Sequence, residues 1–278
     1  MKTFGDKLHA AMRDRGALCA GIDPHPSLLA AWGLGDDVAG LERFAGTCVE
    51  AWGSRLAVLK PQSAFFERMG SGGIAVLERL IADARSAGAL VLLDAKRGDL
   101  GSTMKGYADA YLEQSSPLAV DAITVNPYLG FESLRPMLDA AAENAAGVFV
   151  VALTSNPEGA QFQHAATAHG TVAGEVLAAV RAENEGAVPL GSVGAVVGAN
   201  LARLDEDVDV NGPLLAPGYG VQGGTADTMR RLFGSTYPNV LASMSRGLLT
   251  SGPSVKGLRE AAARSLAALN VDPSQSWR

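Results

Sequence analysis

Eight short apolar runs, separated by longer amphipathic stretches, constrain this 278-residue chain more than any other feature. They run from Leu18 to Asp23, Arg55 to Lys60, Ala89 to Lys96, Val120 to Asn126, Val148 to Ser155, Ser192 to Ala199, Pro213 to Gly218 and Asn239 to Arg246. They are rich in β-branched residues and bounded by Gly, Pro or Asn, as strands covered on both faces are. Between them the apolar spacing turns helical. Leu41, Phe44, Cys48 and Trp52 form one stripe, and Leu134, Met137, Leu138 and Ala141 another. Val255, Leu258, Ala262, Leu266 and Leu269 form the last, after the start signal Ser251-Gly252-Pro253. Strands alternating with helices eight times predict an α/β fold, a parallel (β/α)8 TIM barrel. Phe4 to Arg15 precedes the first strand and reads as an extra N-terminal helix closing the bottom of the barrel.

No linker or shift of composition divides the chain, so residues 1–278 read as a single barrel domain, with 4–15 as its N-terminal helix and 270–278 as a polar tail. The longest irregular stretch is Asn156 to Gly170, a length at which loops are often functional. The net charge of −6 argues against a general nucleic-acid binder, while a small anionic ligand needs only a few basic groups. Cys19 and Cys48 are the two cysteines and form neither a disulfide framework nor a metal pair, which suits a reducing cytosol. The first residues mix charged with apolar side chains instead of the continuous apolar stretch of a signal peptide. The longest apolar run, Val148 to Leu153, is too short to span a bilayer. The expectation is a cytoplasmic protein that engages neither membrane nor nucleic acid.

In such a barrel the C-terminal strand ends converge on one mouth, where active sites lie. Here those ends carry Asp23, Lys60, Asp94 with Lys96, Ser155 and Arg246. Any one of them can simply solvate a strand terminus. Lys60, Asp94 and Lys96 closing consecutive strands point to a site. The densest segment, D-A-K-R-G-D, adds Asp99, with Thr103 four residues on. Asp94 and Lys96 have strand parity, and Asp99 and Thr103 share a face if a helix starts near Leu100. Such an acid–base row shifts pKa values in a low-dielectric mouth, although a surface ion-pair network at a helix start uses the same residues. Gly218, Gly220 and Gly223 match G-x-G-x-x-G, but after the seventh strand and with no acid among Thr236 to Val240. A phosphate cradle completed by Arg246 fits that position better, and tight turns alone are the plainer reading.

Other patterns fail. Asp207, Asp209 and Asn211 begin like a calcium loop whose twelfth position is Gly218 instead of Glu, so they read as a solvated helix end and turn. His164 and His169 lie five apart and do not share a helical face; His25 is placed to line the mouth, although a turn residue is the plainer reading. Ser155 lacks the glycine frame of a nucleophile elbow and reads as a hydrogen-bonder.

Taken in order along nearly the whole chain, GIDPHP, LKPQSAFFE, DAKRGDLGST, TVNPYLG, LTSNP and PGYGVQGG resemble orotidine 5′-phosphate decarboxylase, in the bacterial form of actinobacteria. The resemblance implies cofactor-free, metal-free decarboxylation of orotidine 5′-phosphate to UMP in pyrimidine synthesis. It also implies a catalytic Lys60–Asp94–Lys96–Asp99 array in which Lys96 protonates the ring carbon that loses carbon dioxide. Asp23 would bind a ribose hydroxyl and Ser155 the pyrimidine amide edge. Gln222 and Arg246 would hold the phosphate within the loop that contains Gly220 and Gly223. Asp99 and Thr103 would reach the neighbouring subunit's site, implying a homodimer with shared active sites. D-x-K-x-x-D also occurs in magnesium-dependent sugar-phosphate decarboxylases and aldolases of the same barrel group, which form the alternative reading. Two departures, TVNPYLG at the fourth strand and a short phosphate loop, leave Asn126 and Tyr219 without a carried-over role.

Overall fold

The computed structural model describes residues 2–220 and 223–269. All eight predicted strands form. They are β1 (Leu18–Ile22), β2 (Val58–Pro61), β3 (Leu90–Arg97), β4 (Ala122–Val125), β5 (Gly147–Leu153), then β8 (Val193–Val197), β9 (Leu214–Pro217) and β10 (Val240–Met244), with two short strands, β6 (Ala166–Thr167) and β7 (Gly170–Thr171), between β5 and β8. The eight long strands pair in parallel and close in the order β1-β10-β9-β8-β5-β4-β3-β2. This is the TIM barrel that the alternating pattern predicts. Among the described residues no helix is long and apolar enough to cross a membrane.

Two expectations change. The second strand begins at Val58 instead of Arg55, because the helix Val38–Trp52 unwinds through turn bonds from Arg55 and Leu56 back to Trp52. The stretch after β5 is structured: a turn of 3-10 helix, Pro157–Gly159, a helical turn, Ala160–Gln163, and the antiparallel β6–β7 hairpin. Its elements are too short to leave a periodic signal. The tail expected over 270–278 lies outside the described residues.

Strand parity sorts the core. Cys19, Val58, Leu92, Ala122, Phe149, Val196, Leu215 and Leu241, one from each barrel strand, form an inner cluster. Their neighbours, such as Leu18, Leu59, Val91 and Ile123, pack outward with the helices. Each residue therefore alternates between lumen and helix layer, the period of two that a pleated strand imposes.

The predicted N-terminal helix, Phe4–Arg15, closes the lower end. Thr3 caps it, with Asp6 completing the reciprocal capping box. Its Phe4, Leu8 and Met12 join the inner cluster, and the Phe4 ring meets Phe149 edge-on at 6.1 Å. Gly147 makes room for that ring, since a Cβ there would lie 2.2 Å from it. Replacing Phe4 by Ala empties a fully buried site, so Phe4→Ala is expected to lower the unfolding free energy by about 3–5 kcal/mol in urea denaturation. A loss below about 1 kcal/mol, the scale of a surface change, would show that the helix does not seal the barrel.

Candidate functional site

Two residues beyond the apolar inner layer, the lumen turns polar. Lys60 follows Val58, Asp94 follows Leu92, Thr124 follows Ala122 and Ser243 follows Leu241, each with the same inward parity. All four are buried, Lys60 at 5% and Asp94 at 7% exposure. The Lys60 ammonium donates to Asp94 Oδ2 at 2.9 Å, and the Lys96 ammonium donates to Asp94 Oδ1 at 2.6 Å. Thr124 Oγ1 lies 2.9 Å from the same Oδ1. Gln62 Nε2 donates to the Asp94 carbonyl at 3.1 Å. One carboxylate is thus shared by two ammonium groups and a hydroxyl.

The charges hold one another. Burial alone would lift the Asp94 pKa, but Lys60 and Lys96 outweigh it and keep the carboxyl well below the usual carboxylate range. Burial alone would lower the Lys60 pKa, and the Asp94 and Asp23 carboxylates outweigh that, leaving it above an ordinary lysine. Burial pushes the Cys19 thiol up to about 12 and the Cys48 thiol well above its usual value. Neither is the thiolate that nucleophilic chemistry requires.

Above the carboxylate opens a cavity of about 210 Å³. Asp23, Lys60, Asp94 and Arg246 line it together, as the strand-end argument expects. Asp23 Oδ1 is buried there without a hydrogen-bond partner. His25 lines the cavity, the less plain of its two readings, and occupies the cap position of the helix Pro26–Ala31, its ring 4.2 Å from that of Phe65.

Lys96 is exposed and, like Asp99, Thr103, Ser155, Gly220 and Gly223, is not among the residues lining this cavity; it reaches the site through its bond to Asp94. The helix after β3 spans Gly101–Leu112, so Asp99 precedes it and the expected i, i+4 helical face with Thr103 does not form. Asp99 Oδ1 instead accepts from the Leu100 amide at 2.7 Å. Thr103 and Ser155 are exposed. Gly218, Gly220 and Gly223 all adopt positive φ, at 101°, 86° and 99°. The amides of Gly220, Gly223 and Gly224 donate to carbonyls within the loop at 2.7, 2.9 and 3.1 Å. Meeting a phosphate would require them to exchange partners. Gln222 lies outside the described residues. The Asp207–Asn211 segment forms no helix end; side chains of Asp207 and Asp209 accept from backbone amides two residues on.

Gln62, Thr124 and Ser243 escaped the sequence reading. Ser243 alone carries a usable signal, a polar side chain at lumen parity inside an otherwise apolar strand; Gln62 lies just past its strand, and Thr124 is as β-branched as its neighbours. Among the described residues no group of three His, Cys, Asp or Glu side chains is arranged to hold a metal ion.

Residues 16–261 match the Orotidine 5′-phosphate decarboxylase / HUMPS family. The chain is 61% identical over 269 residues to an orotidine 5′-phosphate decarboxylase of Salinispora arenicola, covering 96% of this chain and 97% of the relative. It is 59% identical over 266 residues to that of Streptomyces coelicolor, covering 95% and 96%. Among solved structures, Leishmania donovani OMP decarboxylase superposes with a TM-score of 0.76 at 27% identity, covering 96% of this chain and 98% of that one.

Replacing Asp94 by Asn leaves two ammonium groups facing an amide. Asp94→Asn is expected to destabilise the fold by about 3 kcal/mol, the scale of a broken buried ion pair. Because the folded pKa of Asp94 is depressed, its contribution is present above the unfolded value of about 4 and is lost as pH falls through the folded one. The difference between wild type and Asp94→Asn in urea denaturation should therefore shrink below about pH 4. A difference independent of pH would contradict the assigned charge state.

Proposed function

We propose that this chain, which belongs to the Orotidine 5′-phosphate decarboxylase / HUMPS family, decarboxylates orotidine 5′-phosphate to UMP and carbon dioxide in pyrimidine synthesis. The observation that carries the chemistry is the Asp94 carboxylate held between Lys60 and Lys96 at the floor of the cavity.

Breaking the bond to the carboxyl carbon leaves its electron pair on a ring carbon. Carbon dioxide departs, and one proton must reach that carbon. A fixed ammonium stabilises the developing charge and can supply the proton. Lys96 takes this role in our reading. Asp94 keeps it oriented and stands beside the departing carboxylate. Lys60, tied to Asp94, also meets a ribose hydroxyl. The unpartnered Asp23 Oδ1 is a buried acceptor that a second ribose hydroxyl would satisfy. Arg246 grips the phosphate bidentately, with Gln222 and the backbone at Gly220 and Gly223 closing around it. Ser155 meets the pyrimidine amide edge. Binding energy gathered at the phosphate then serves the distant carbon.

Asp99 and Thr103 serve a second copy of the chain in this reading. They sit beside Leu100, which is 58% exposed, while Tyr128, Leu129 and Phe162 are exposed after the next two strands. The Tyr128 and Phe162 rings meet edge-on at 5.5 Å. An apolar cluster on the rim of a mouth suits burial against another copy. The protein is then a cytoplasmic homodimer whose partner completes each cavity.

Three outcomes test this. Ultraviolet absorbance should report turnover of orotidine 5′-phosphate that survives EDTA; turnover that requires magnesium would favour the sugar-phosphate enzymes of the same barrel group. Lys96→Ala should abolish turnover yet still bind UMP in calorimetry, and retained decarboxylation would remove Lys96 from the role. Arg246→Ala should weaken substrate binding by about 2–5 kcal/mol, read as a raised KM. For the shared site, mixing inactive Lys96→Ala with inactive Asp99→Ala should restore activity through mixed dimers. No recovery despite subunit exchange would confine each site to one chain.

A further inference from the structure

β3 and β4 fall out of step beside the site. Leu93 pairs with Ile123 and Arg97 with Val125. Three residues of β3, Asp94, Ala95 and Lys96, therefore lie opposite one residue of β4, Thr124. Lys96 takes φ +48°, the left-handed region that a lysine rarely adopts. Such a bulge disrupts the local ladder, and its amides need another acceptor.

Thr124 Oγ1 is that acceptor. The amides of Ala95 and Lys96 both donate to it at 3.0 Å. A hydroxyl has two acceptor sites and one proton. Two amides that can only donate fill both acceptor sites, so the hydroxyl proton must go to Asp94 Oδ1, 2.9 Å away. Lys96 Nζ bonds the same oxygen at 2.6 Å. A single side chain, 1% exposed, thus fixes both ends of Lys96: its backbone directly, and its ammonium through Asp94.

We propose that Thr124 is a positioning residue for decarboxylation, holding the bulge that aims the Lys96 ammonium. The proposal rests on the decarboxylase reading and deepens it. It distinguishes the hydroxyl, which does the positioning, from the methyl, which only packs.

The test is a pair of substitutions that separate these two parts. Thr124→Val keeps the volume and removes the hydroxyl. Its kcat is expected to fall about 10- to 100-fold, the scale on which small misplacements of reacting groups act. Its affinity for UMP should stay at the wild-type value, because Thr124 does not line the cavity. Thr124→Ser removes the methyl and keeps the hydroxyl; its thermal midpoint should drop while kcat stays near wild type. Amide hydrogen exchange at Ala95 and Lys96 should speed up in the valine variant alone. Wild-type kcat in Thr124→Val, or an equal loss in Thr124→Ser, would overturn the proposal. If Thr124→Val does not fold, Thr124→Cys carries the test, because its thiol is only a weak donor. An intermediate kcat there supports the proposal, and a wild-type kcat overturns it. Should the wild-type protein fail to turn over orotidine 5′-phosphate, the decarboxylase reading falls first. The exchange rates at Ala95 and Lys96 then still decide whether the hydroxyl holds the bulge.

Discussion

The Asp94 carboxylate is the constraint around which this molecule is organised. It accepts from Lys60 on one oxygen and from Lys96 and Thr124 on the other. Taking such charges out of water costs several kcal/mol per ion, which attraction repays only when geometry is good and the remaining hydrogen bonds are made. Here the carboxylate has a donor on every side, and two positive charges face one negative charge. Asp23 offsets one of these positive charges, and Arg246 on the same cavity leaves a single positive charge in excess. A site that must meet developing negative charge on carbon needs such a field in place before the reaction begins.

The barrel supplies that arrangement through parity and register. Lys60 and Asp94 are two residues beyond lumen-facing apolar residues on neighbouring strands, so both must point inward. Gly21 pairs in register with Lys60 on β1. It carries no side chain at a point where a Cβ would lie 2.6 Å from that of Ser245. The lumen beside Lys60 thus stays open toward the end of β10, where Arg246 begins the next helical turn. Below this polar layer the apolar layer excludes water, which strengthens every electrostatic interaction above it.

What was legible in the sequence follows the same physics. The eight strands were readable because apolar runs bounded by turn residues leave few alternatives. Lys60, Asp94 and Arg246 were readable because charge at a buried strand's end is costly without a purpose. Thr124 was hidden because a threonine inside A-I-T-V scores as an ordinary β-branched strand residue. Its role depends on a bulge in the neighbouring strand, a non-local feature that no periodicity reports. Asp99 and Thr103 share a face only if a helix starts near Leu100, and the helix that forms begins at Gly101 with Asp99 outside it. The segment after β5 looked irregular because a four-residue helix and a two-residue hairpin are shorter than any repeat they could display.

The two ends of the barrel divide stability from chemistry. At the mouth sit a left-handed lysine, a carboxylate oxygen without a partner and a buried ammonium. Features of this kind each cost about 1–3 kcal/mol and persist only when their surroundings over-determine them. The opposite end has left-handed residues of its own, Ala145 and Asn211, and the buried Asp121, but its lumen is apolar. There the Phe4–Arg15 helix drives Phe4, Leu8 and Met12 into the lumen against a ring of apolar residues from every barrel strand. Burying a side chain of that size contributes about 1.5–3 kcal/mol, so the plug offsets the strain held at the mouth. The extra helix is therefore part of the site's energetics although it touches none of it.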